Sequence, residues 1–68
     1  MDHLFLMFEI SAAKQSVKEQ EGRIQRVLDN QPDQDPHLHW ANTIAWEQSI
    51  LERRKQQLKN LEYKLNES

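Results

Sequence analysis

Asp33, Asp35, His37 and His39 bracket the one polar break in the chain, and they carry the side chains a metal site would need. Helical ligand pairs share a face at i, i+3 or i+4, whereas His37 and His39 stand at i, i+2 and diverge. Two histidines without a third convergent ligand, in a chain with no cysteine, do not compose a zinc site. They read as solvated residues near a helix start, and neither a metal nor a cofactor is expected. Nucleophilic catalysis needs a hydroxyl activated by a neighbouring base. Ser11, Ser16, Ser49 and Ser68 sit in polar contexts with no histidine placed for that task. The carboxylates have no concave interior in which a pKa is raised for acid–base work, and a single glycine rules out a glycine-rich phosphate loop. The expectation is a protein that is not an enzyme.

Basic residues are the next candidates. Arg53, Arg54 and Lys55 are consecutive, with Lys59 and Lys64 beyond them, and Lys14, Lys18, Arg23 and Arg26 lie in the first half. Glu19, Glu21, Glu47, Glu52 and Glu62 are interleaved with them, and the net charge is −2. That alternation suits i, i+4 pairs on a solvated face better than the uninterrupted basic stripe that follows a phosphate backbone. An alternative remains. A small homodimeric helical regulator would align two basic faces and contact RNA or DNA through Arg53, Arg54 and Lys55. In size and hairpin form alone, the chain resembles the small RNA-binding four-helix bundles encoded by some plasmids.

The elements that position these residues follow from hydrophobic spacing. His3, Leu6, Ile10, Ala13, Val17, Gln20, Ile24 and Val27 step by three and four without interruption, the pattern of a helical seam. Trp40, Ile44, Glu47, Leu51, Arg54, Leu58, Leu61 and Leu65 do the same. Between them, Asp29 to Pro36 has no apolar residue except its prolines. Pro32 pushes the residue before it out of the α region. Asp35 can cap a helix whose first position is Pro36, where no N–H is missed. The spacing therefore predicts helices over about 3–30 and 36–66 joined by a turn at 31–35. The fold class is all-α, an antiparallel, coiled-coil-like two-helix hairpin about 40 Å long at 1.5 Å per residue. Folding back about residues 33–35 makes facing positions sum to about 68. Ile10 then faces Leu58, Ala13 faces Arg54, Val17 faces Leu51, Gln20 faces Glu47, Ile24 faces Ile44 and Val27 faces Trp40. Polar members meet polar or small ones, as a consistent pairing requires.

A chain of 68 residues buries a thin core, and without cysteine it has no disulfide to reinforce it. That leaves long packed helices, completion by dimerisation or a partner protein, or both. Phe5, Met7, Phe8, Trp46 and Ile50 lie off the seams, more apolar bulk than two helices can cover. Phe5, Phe8, Trp46 and Ile50 are therefore the expected partner-binding residues, covered either by a second copy or by a different protein. Gly22 falls near Trp46 in this register and offers room for its indole. Met1–Ile10 carries Asp2 and an apolar run of five residues, Leu4–Phe8. A signal peptide needs about 7–15 apolar residues after positive charge, and a membrane span about 20, so a greasy first helical turn is expected. Absence of cysteine is compatible with a reducing cytoplasm.

The layout resembles the small helical-hairpin co-chaperones of type III secretion needle subunits. The likeness rests on Arg23-Ile24-Gln25-Arg26-Val27-Leu28, then Asp35-Pro36-His37-Leu38-His39-Trp40, then Ser49-Ile50-Leu51-Glu52. It spans the chain as architecture and contains no diagnostic motif, so no functional residue transfers position by position. It implies a cytoplasmic heterodimer with a larger helical-repeat chaperone, the two together keeping the needle subunit from polymerising early. The many charges across Glu52–Lys64 depart from an apolar docking helix.

Overall fold

The unbroken three-and-four spacing of the first seam forms one helix, α1 (His3–Asp29), and that of the second forms α2 (His39–Glu67). The computed structural model describes residues 3–67. The two helices run antiparallel side by side in a rod with Cα extents of 53 × 14 × 11 Å. On α1 the seam is buried at Leu6, Ile10, Gln20 and Ile24 and half-buried at Ala13, Val17 and Val27. His3, the first member of the expected seam, is exposed. On α2 every seam residue from Trp40 to Leu65 is half-buried. One neighbouring helix covers a stripe from a single side, so the flanks of these leucines stay open to water.

The connection is longer than the sequence predicts. α1 ends at Asp29, and α2 starts at His39 rather than at Pro36. The Leu38 N–H donates to the Asp35 carbonyl (3.1 Å), closing a turn over Pro36 and His37. Leu38 then adopts φ 54°, in the left-handed region. This conformation costs about 1–2 kcal/mol for a residue with a Cβ, and it breaks any helix running from Pro36. The first helical bond of α2 follows at once, from the Asn42 N–H to the Leu38 carbonyl (2.9 Å). Leucine offers no capping oxygen, and Asp35 supplies one from the turn. Its Oδ1 accepts from the Trp40 N–H (3.3 Å) and its Oδ2 from the Ala41 N–H (3.0 Å). Asp35 therefore caps α2 as its position suggested, from one turn further back. At the other side of the connection, the Asn30 amide Nδ2 donates to the Arg26 carbonyl (2.7 Å) and closes the last turn of α1.

Register is set in the middle of the rod. Gln20, 1% exposed, is the most buried side chain described. Its Nε2 donates to the Glu47 Oε2 (2.6 Å) and to the Glu47 carbonyl (2.9 Å), so Gln20 faces Glu47 as the seam pairing predicts. Arg54 reaches beyond the expected Ala13, its Nη1 donating to the Ser16 carbonyl (3.1 Å). Toward the open end two shallow clefts run between the helices. Leu65 shares a shallow cleft with Met7 and Ile10, and Leu61 shares one with Glu9 and Ala13.

Candidate functional site

Five consecutive apolar residues, Leu4 to Phe8, sweep all the way round a helix at 3.6 residues per turn. Only one side of that circumference can face α2, and Leu6 and Ile10 take it, at 8% and 7% exposed. The remainder points to water. Leu4 is 61% exposed, Phe5 62%, Met7 56% and Phe8 66%. A helix apolar all round is ordinarily buried on all sides, and the first two turns of α1 lack that cover within their own hairpin.

Trp46, 65% exposed, and Ile50, half-buried, lie on α2. They do not join the N-terminal turns. Trp46 adjoins Glu47, which bonds Gln20, and twelve residues of α1 separate Gln20 from Phe8, about 18 Å of helix. The four residues expected to bind a partner thus form two patches. Nor does the indole settle on Gly22. A Cβ built there meets Arg26 Nη1 at 4.0 Å and no atom of Trp46. The register holds at this level, and the outward position of Trp46 on α2 accounts for the difference. Leu38 and Tyr63 are also exposed, at 60% and 64%, one at the turn and one on the outer side of α2.

His37 and His39 are both exposed, and the His39 ring sits edge-on to Trp40 at 5.8 Å and 82°. Among the described residues no three or more histidine, cysteine, aspartate or glutamate side chains are grouped to hold a metal ion. Arg53, Arg54 and Lys55 go three ways, because successive helical residues turn by about 100°. Arg54 enters the seam on the Ser16 carbonyl. Lys55 lines a shallow groove with Glu52, Lys59 and Glu62. Arg53 shares the side of Trp46 and Ile50, four and seven residues along from the indole. The run is continuous in sequence and not on the surface.

One cluster escaped the sequence reading. Arg23, Arg26 and Arg54 line a single cleft of about 230 Å³ together with Glu19 and Gln20. Arg23 and Arg26 stand at i, i+3, a spacing that is visible in sequence. The reach of Arg54 across from α2 depends on the direction of a long side chain, and no residue pattern records it.

Among the described residues no helix is long and apolar enough to cross a membrane. No protein-family model matches the chain, and no curated protein or solved structure matches it either.

Proposed function

We propose that this chain is a protein–protein interaction module with no chemistry of its own, working through its N-terminal turns against the helices of a partner protein. The observation that carries this reading is the apolar circumference of residues 4–8, with Leu4, Phe5, Met7 and Phe8 between 56% and 66% exposed. Fully burying a side chain of this size is worth about 1.5–3 kcal/mol, against a total stability that is small for so short a chain.

The resemblance to needle-subunit co-chaperones gives this reading a biological form: a cytoplasmic partner that lays its apolar turns against a larger helical chaperone. The nucleic-acid alternative is not carried forward, because Arg53, Arg54 and Lys55 part company on the helix. The test is a Phe5→Ser, Phe8→Ser double variant beside the wild type. We expect unchanged helicity by circular dichroism, loss of binding of the hydrophobic dye ANS, and loss of any partner held by the intact chain. A variant that keeps its partner and its dye binding would show that these turns are not the docking surface.

A further inference from the structure

Three of the chain's four arginines, Arg23, Arg26 and Arg54, converge on one cleft in a protein whose net charge is −2. Among the described residues no carboxylate forms an ion pair with any of the three. Glu19, which lines the same cleft, accepts instead from the Gln15 amide (3.3 Å). Three guanidinium groups against the single carboxylate of Glu19 leave the cleft net positive, and an anion is attracted there. Lysines line other clefts, Lys14 at the open end and Lys55 and Lys59 on α2. The guanidinium matters here, since its planar fork matches a carboxylate with two parallel hydrogen bonds and an ammonium does not.

The same side of the rod carries apolar surface. Trp46, Ile50, Arg53 and Gln57 fall at i, i+4, i+7 and i+11, one face of α2. Gln57 shares a cleft with Ala12 and Ser16 of α1, and Ser16 leads on to Glu19 and Arg23 at helical spacing. Tryptophan and arginine, two of the residue types that carry most binding energy at interfaces, therefore stand together on one face, about 18 Å from the N-terminal turns.

We propose that this face docks an acidic amphipathic helix of a partner protein, its carboxylates entering the cleft of Arg23, Arg26 and Arg54 and its apolar side lying on Trp46 and Ile50. The probe is a labelled helical peptide with glutamate pairs at i, i+4 beside a leucine stripe, titrated by fluorescence anisotropy. A second peptide has every glutamate replaced by glutamine. The chains are wild type, an Arg23→Gln, Arg26→Gln variant that spares the Arg54 bond to Ser16, and a Trp46→Ala variant. The acidic peptide should bind the wild type at least about tenfold more tightly than the glutamine peptide does, the scale of one charge-assisted hydrogen bond. Each variant should remove most of that preference or affinity while keeping the wild-type circular dichroism. Binding should weaken with added salt, and Phe8→Ser should leave it unchanged, which separates this face from the N-terminal turns. Equal binding of the two peptides, indifference to the arginine variant, no binding at millimolar peptide, or displacement of the peptide by lower concentrations of duplex DNA or RNA would each overturn the proposal.

Discussion

At the level of Gln20 the two helices meet through polar groups that satisfy each other, whereas at the level of Phe8 an apolar helix meets water on most of its circumference. In the middle, the deepest side chain is an amide bonded to both the backbone and the carboxylate of Glu47, and among the described residues no buried side-chain nitrogen or oxygen lacks a partner. At the open end, Leu6 and Ile10 are buried while the four apolar neighbours of Leu6 stand exposed. Apolar contacts are non-directional and tolerate sliding by a turn. A buried amide that must find one carboxylate does not tolerate it, which is the use of buried polar groups best attested in paired helices. The middle selects the register, and the end leaves apolar surface uncovered by its own hairpin.

The first way to break this comparison is to remove apolar bulk from the covered part of the seam. Ile24→Ala should destabilise the hairpin by about 2–5 kcal/mol, the range for truncating a buried aliphatic side chain. Leu51→Ala should fall at the lower end of that range, since Leu51 is half-buried where Ile24 is buried. Lys55→Ala, at an exposed site, should stay within about 0.5 kcal/mol. Urea denaturation followed by circular dichroism ranks the three. Equal effects at Ile24 and Lys55 would mean that the seam is not the core.

Gln20→Ala sharpens the comparison. It strips the Glu47 carboxylate of its donor at the centre of the rod and should cost about 1–3 kcal/mol, the range for a buried polar group left without its partner. Gln20→Leu restores volume and apolar contact but not the bond. It should recover stability while loosening register, read as a second set of inter-helix distances between spin labels at positions 15 and 52. A single, unchanged distance distribution in Gln20→Leu would show that the apolar seam fixes the register without the amide.

How far the sequence carried each feature depends on what kind of signal encodes it. The helices and the pairing of Gln20 with Glu47 were legible, because three-and-four spacing and the matching of polar with polar are properties of residue order. The start of α2 was not. A left-handed backbone is ordinarily announced by glycine or asparagine, and here a leucine adopts it at φ 54°, held by the Asp35 turn and cap around it. The exposure of Phe5, Met7 and Phe8 was legible from apolar bulk off the seam, and their distance from Trp46 from their places along the two helices, whereas the exposure of Leu4 was not singled out. The arginine cleft joins residues 28 and more positions apart, and only the fold brings them together.

The smallest effect concerns Gly22, which lies on α1 two residues from Gln20. Glycine inside a helix costs about 0.5–1 kcal/mol relative to alanine, because it gives up more backbone freedom on folding. Such a residue is retained for a packing reason or without one, and the two cases differ in the sign of Gly22→Ala. Had the Trp46 indole filled the notch, an added methyl would collide with it and destabilise the pair. The structure offers no such collision, because the nearest atom to a built Cβ is Arg26 Nη1 at 4.0 Å, ordinary contact with the far end of a flexible side chain. Gly22→Ala should therefore stabilise the isolated hairpin by about 0.5–1 kcal/mol, seen as a higher denaturation midpoint at unchanged slope. The same substitution sits beside the arginine cleft, so its effect on the acidic peptide is informative as well. A gain in stability together with a loss of peptide binding would mean that the glycine keeps the floor of the cleft low for a docked helix. A loss of stability in the isolated chain would instead show that Trp46 does lie over Gly22, with its exposed face turned away from any partner.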